Sequence, residues 1–137
     1  MKTSMTLIVA AGFALCLNSC QTQQQIVKNQ TAAHEWIKMQ NTSARIQVSG
    51  TWFSQDWGRA TLKQVGREVT GTIDTYEVKG VVSGAKAYLT AWDSGKCYYT
   101  IVLTESGNNV LEGSYSDGPT YDTNSAKQRT IELRRSY

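Results

Sequence analysis

Four times in this chain an apolar residue, any residue, a glycine, any residue and a second apolar residue follow one another. The sets are Val48-Gly50-Trp52, Val69-Gly71-Ile73, Val78-Gly80-Val82 and Leu111-Gly113-Tyr115. Because successive side chains of a strand point to opposite faces, the three named residues of each set share one face. A glycine between two inward apolar residues lets a strand bend sharply and lets its neighbour come close, as the wall of a small closed barrel requires. The alternate positions are polar: Glu68, Thr70, Thr72 and Asp74 in one stretch, Thr130, Glu132 and Arg134 in another. One wet face and one apolar face describe an antiparallel sheet curled on itself.

From Arg45 onward the period-two pattern continues, rich in Thr, Val, Ile and Tyr, and predicts eight short strands near 46–54, 59–65, 67–76, 77–83, 86–92, 97–105, 109–116 and 128–136. Turn residues stand between them: Asp56-Trp57-Gly58, Gly66, Gly84, Asp93-Ser94-Gly95-Lys96 and Ser106-Gly107-Asn108-Asn109. Only the connection around Ser116 to Lys127 is long. Sequential strands with short turns close readily, pairing the last with the first and removing exposed edges. The expected fold is therefore all-β, an eight-stranded up-and-down antiparallel barrel over 45–137, with a β-sandwich of the same strands as the alternative.

The amino-terminal part has a different character. Lys2 is followed by an apolar run of 13 residues, Met5 to Leu17, too short to cross a bilayer as a helix and suited to a signal peptide. It ends in Leu17-Asn18-Ser19-Cys20, which resembles the lipobox of bacterial lipoproteins. That resemblance implies a signal peptide over 1–19, cleavage before Cys20, and acylation of the Cys20 thiol and of the new amine. Two or three acyl chains hold a protein on its membrane persistently, at about 0.8 kcal/mol per buried methylene. The implied location is the bacterial cell envelope, and in a Gram-negative cell the outer membrane, since Gln21 is not the aspartate that favours inner-membrane retention. Residues 20–44 then read as the lipidated cysteine and a polar tether: 21–31 is glutamine-rich and without apolar period, and Ala32 to Gln40 has the composition of a short helix.

Ser49-Gly50-Thr51-Trp52-Phe53, then Gly58 and Val69-Thr70-Gly71-Thr72, resembles the opening of the avidin and lipocalin group of barrels, whose first strand carries Gly-x-Trp. In that group an arginine near the end of the last strand packs over the tryptophan and plugs one end of the barrel. The resemblance implies that Arg135, which shares a face with Ile131 and Leu133, stacks on Trp52 and marks barrel closure. The biotin-contacting positions of avidins are Ser54, Arg59 and Ile73 here, so what is implied is fold. A second likeness lies in Ser83-Gly84-Ala85-Lys86, Trp92 and Gly95-Lys96, which resembles the membrane-bound lysozyme inhibitors and implies that Lys86 or Lys96 enters an enzyme's active-site cleft.

Catalytic chemistry finds little support. His34 is the only histidine and stands in the polar lead-in, and no serine or cysteine nucleophile has an evident base. Asp117 and Asp122 flank Gly118-Pro119 and read as turn formers. Clusters of metal-ligating residues are missing from the sequence, so neither a metal nor a cofactor is expected. Charges of both signs are interspersed, with a net +3, which is no nucleic-acid footprint. With Cys16 in the leader and Cys20 acylated, Cys97 is left without a disulfide partner and reads as a buried thiol. Trp57 in a turn and Tyr121 in the long loop are open to two readings, exposed at the surface, where such residues build interfaces, or packed with the loop over a barrel mouth. The function expected is a membrane-anchored, noncatalytic binding module for an envelope protein or a small apolar ligand. A lysozyme-type inhibitor and a structural component of an envelope assembly are the alternatives.

Overall fold

The computed structural model describes residues 22–136. The signal peptide and Cys20 lie outside the described residues. Eight strands follow in order: β1 Gly50–Ser54, β2 Gly58–Val65, β3 Glu68–Ile73, β4 Tyr76–Ser83, β5 Lys86–Asp93, β6 Lys96–Glu105, β7 Val110–Asp117 and β8 Arg129–Arg135. Each pairs antiparallel with the next, and β8 returns to β1, so the sheet is a closed up-and-down barrel rather than a sandwich.

The glycines at the centres of the repeated sets do what the pattern required. A Cβ built on Gly71 would run into the Thr61 carbonyl, one on Gly80 into that of Tyr88, and one on Gly113 into that of Val102. The adjacent strand therefore coils beneath these glycines, and the wall turns through a small radius. The flanking residues fill the lumen: Val48, Trp52, Val69, Ile73, Val78, Val82 and Leu111 are all buried, joined by Leu89, Ile101, Leu103, Ile131 and Leu133 from the other strands. The reversal between β5 and β6 is tight, with Ser94 at φ 52° and Gly95 at φ 79°, the positive pair that suits the twist of a hairpin.

The lead-in corrects the expectation of a flexible tether and a short helix over 32–40. A single helix, α1, runs over 22–38 and lies against the outer wall of the barrel. The Asn29 side-chain amide donates to the Cys97 carbonyl at 2.9 Å and its oxygen accepts from the Cys97 N–H at 2.8 Å, while Gln30 donates to the Gly95 carbonyl at 2.8 Å. Further on, Ala33 is buried with Trp92 and Cys97, and Trp36 meets the edge of Tyr88 at 5.9 Å. These anchors recur every three or four residues, so they form one helical stripe. Two of them are amides, and a search for apolar period passes over them.

Beyond α1 the chain straps the far end of the barrel. Arg67 donates to the Gln40 carbonyl, Thr42 N–H to Ser83 Oγ at 2.9 Å, and Arg45 N–H to the Gly84 carbonyl at 2.8 Å. Gln64 completes the strap, accepting from Val48 N–H and donating to the Ile46 carbonyl. The chain thus travels from the β5–β6 turn at Gln30 to the β4–β5 turn at Thr42, along the full height of the barrel.

Candidate functional site

The two barrel ends are closed by different chemistry. At the end bearing the β1–β2, β3–β4 and β5–β6 turns, Trp57 meets Tyr76, Tyr99 and Tyr115 edge-on, with ring centroids 5.9, 5.0 and 5.0 Å away. Edge-to-face packing of this kind adds to the burial of the rings. Arg129 lies over the Tyr115 ring at 4.8 Å. A hydrogen bond with Tyr99, aided by burial and by the neighbouring Tyr99, Asp93 and Tyr98, raises the Tyr76 hydroxyl above its ordinary pKa. Trp57 is thus half-buried and plugs the mouth, the packed one of the two places that its turn position allowed.

At the opposite end the Arg135 guanidinium lies over the Trp52 indole at 4.2 Å. Its Nη1 donates to the Ser49 carbonyl at 3.0 Å and its Nε to Asn109 Oδ1 at 3.1 Å. The indole N–H donates to the Val48 carbonyl at 2.9 Å. Gly50, at φ 140°, makes room for this plug, since a Cβ there would collide with the guanidinium.

Tyr121 is also held inward. It stacks on Trp36 at 6.1 Å and shares a hydrogen bond with Ser114, so the long loop covers the wall beside α1 instead of offering an open aromatic. Loop and helix together cover a polar row: Thr100 Oγ1 and Ser116 Oγ lie 3.1 Å apart, Asp122 N–H donates to Ser116 Oγ, and Trp92 N–H donates to Thr90 Oγ1. Cys97 lies buried beside Trp92, and burial pushes its thiol up to about 11, which keeps it protonated and unreactive at neutral pH. Lys86 and Lys96 are exposed at opposite ends of the β5–β6 hairpin. At about 3.3 Å per residue roughly 23 Å of strand separates them, so they do not form one site. Lys96 lies over the Tyr98 ring at 4.9 Å.

The loop carboxylates are engaged by neighbours: Asp117 with Arg129, and Asp122 with the Asn124 N–H at 2.9 Å and Lys127 at 3.9 Å. His34 is exposed, its ring 5.6 Å from that of Trp92. Among the described residues no group of three or more His, Cys, Asp or Glu side chains is placed to hold a metal ion.

What sequence reasoning did not reach is a cleft of about 800 Å³ on the outside of the barrel, along the seam where β8 meets β1. The ladder there is short, pairing only Trp52 with Arg135 and Phe53 with Arg134. After Ser54 the chain leaves the line of β1 to carry Trp57 into the mouth, and Trp57 N–H donates to Ser54 Oγ at 3.3 Å in the reversal. β8 continues past the last pair without a partner on that side. Phe53 stands at the cleft 55% exposed, beside Asp56, Glu112, Glu132 and Arg134. The β1–β2 turn signal was visible in the sequence, but its inward course depends on where the Trp57 ring finds its partners.

No family model, curated protein sequence or solved structure matches this chain. Its function is therefore read from its own geometry.

Proposed function

We propose that this protein is a lipid-anchored lipoprotein of the bacterial cell envelope, on the outer membrane if the cell is Gram-negative, and that it binds another envelope protein through the outside of its barrel, without catalysis. The observation that carries this reading is the filled lumen. Large side chains such as Trp52, Leu89, Ile101, Leu103 and Leu133 occupy the interior, and Trp57 and Arg135 close its ends. A small apolar ligand needs a concave, apolar chamber, whereas a protein partner needs only an exposed surface with relief. The seam cleft supplies that relief.

The docking of α1 supports the anchored half of the reading. Only Gln21 separates Cys20 from the start of α1 at residue 22. The first two turns of α1 run past the β5–β6 turn, so the lipid on Cys20 would hold the aromatic-capped end toward the bilayer and the strapped end away from it. The seam then lies on the flank of an upright barrel, open to a neighbour in the same membrane or beyond it.

Photo-crosslinking in cells tests this, with a benzophenone side chain placed in turn at exterior positions Phe53, Lys63 and Tyr98. The expected result is a discrete protein adduct from at least one position, together with the apo mass when the purified protein is weighed under native conditions. A co-purifying small molecule, with no adduct from any exterior position, would overturn the reading.

A further inference from the structure

We infer that the β1–β8 seam is a binding site for an extended basic peptide segment, which joins the barrel as a short strand in the line that β1 vacates. The inference rests on the proposed protein-binding role and names the segment that such a partner would present. Arg135 N–H donates to the Asn109 carbonyl on the β7 side, and Ser136 N–H donates to the Thr51 carbonyl on the β1 side. Backbone groups of a strand alternate in direction, so those of Ile131 and Leu133 face β7, while those of Thr130 and Glu132 face the seam.

β1 offers nothing to meet them. Its ladder ends at the Phe53 and Arg134 pair, and the residue that would stand opposite Glu132 is Gln55, already in the turn. About four residues of β8, Arg129 to Glu132, some 13 Å at strand rise, therefore present an open edge. Such an edge templates pairing with another chain, and a folded protein that leaves it beside a cleft has the form used to add a strand from a partner. Only an extended backbone satisfies alternate N–H and C=O groups along one line, which separates this occupant from a small molecule.

The charge of the walls selects the side chains. Asp56, Glu112 and Glu132 line the cleft, and the cation among them, Arg134, is already held by Glu132 through its Nε at 2.6 Å. The unbalanced charge is negative. A strand in the vacated line sends alternate side chains outward toward these carboxylates, where Lys or Arg is favoured and Asp or Glu is repelled. Phe53 gives the apolar stems of those side chains a surface to lie on.

The test uses the lipidated protein, ¹⁵N-labelled in detergent, with residue-resolved amide exchange. In the free protein Thr130 and Glu132 should exchange much faster than Ile131 and Leu133. The probe is a capped hexapeptide of alternating Lys and Val, compared with its Glu and Val counterpart and with a version N-methylated at alternate residues. The basic peptide at millimolar concentration should slow exchange at Thr130 and Glu132 by about tenfold or more, and neither control should. Glu132→Lys, an exposed substitution that leaves the core intact, should weaken the effect by about tenfold. Protection of Thr130 and Glu132 in the free protein, equal protection by all three peptides, or none by the basic peptide would overturn the inference. An in-cell adduct from Lys63 with no peptide effect at the seam would do so too, while leaving the broader binding reading in place.

Discussion

Trp52 and Arg135 are direct neighbours across the seam, so together they report on whether the barrel closes in solution as it does in the structure. Trp52 is 2% exposed, and replacing it with alanine removes a buried aromatic together with the N–H···O bond to Val48. Truncations of this kind cost about 3 to 5 kcal/mol, a large part of the 5 to 15 that a small domain possesses. Arg135→Ala removes the guanidinium from above the ring and its bonds to Ser49 and Asn109, at a cost of about 2 kcal/mol for partly exposed groups. The cation over the ring is lost in either single variant and cannot be lost twice. The double variant should therefore be more stable than additivity allows by about 0.5 to 2 kcal/mol. The assay is chemical denaturation followed by far-ultraviolet circular dichroism, with Trp52→Phe as a milder member of the set. Additivity within about 0.3 kcal/mol would show that the two side chains do not meet and that closure has been misread.

Gly71→Ala should destabilise the barrel by about 2 to 4 kcal/mol, since its Cβ meets the Thr61 carbonyl. Gly107→Ala, with open space around it but φ 72°, should cost nearer 1 kcal/mol, and denaturation midpoints distinguish the two. The Cys97 thiol ionises near 9 when unfolded and near 11 when folded, so its contribution is present in full below pH 9 and falls away between pH 9 and 11. Over that window the wild type should lose up to about 3 kcal/mol relative to Cys97→Ala, and parallel pH profiles would refute the buried-thiol assignment. Asn29→Ala breaks the reciprocal pair with the Cys97 backbone and should speed amide exchange along α1 by about tenfold while leaving the core strands protected. Unchanged exchange along α1 would mean that this pair does not hold the helix down.

The strands and their closure were legible because they rest on short-range rules. Period-two alternation, inward glycines at Gly71, Gly80 and Gly113, and turn residues such as Ser94-Gly95 each act within a few residues, and they agree with one another. The strand β5 carried a signal that went unused. Its run Ala87-Tyr88-Leu89-Thr90-Ala91-Trp92 has no wet face, and Thr90, an outward residue, is 1% exposed because α1 covers it. A doubly buried strand requires a cover, and α1 was there to supply it. Asn29 and Gln30 anchor that helix through side-chain amides to backbone, a pattern with no hydropathy trace. Trp57 and Tyr121 stayed open between surface and mouth for a related reason: being in a turn or loop fixes chain position, while the direction of a ring depends on partners far away in sequence, here Tyr99, Tyr115 and Trp36. The seam cleft follows from the course of Trp57 and was illegible for the same cause.

The envelope role proposed for this barrel requires that Cys20 hold it at a membrane. Cells expressing the wild type and Cys20→Ser, fed an alkynyl palmitate and fractionated, test that attachment without reference to any partner. Lipidation at Cys20 gives an acyl-labelled wild type in the membrane fraction and an unlabelled Cys20→Ser protein outside it. An unlabelled wild type, or label and membrane association that persist in Cys20→Ser, would contradict it.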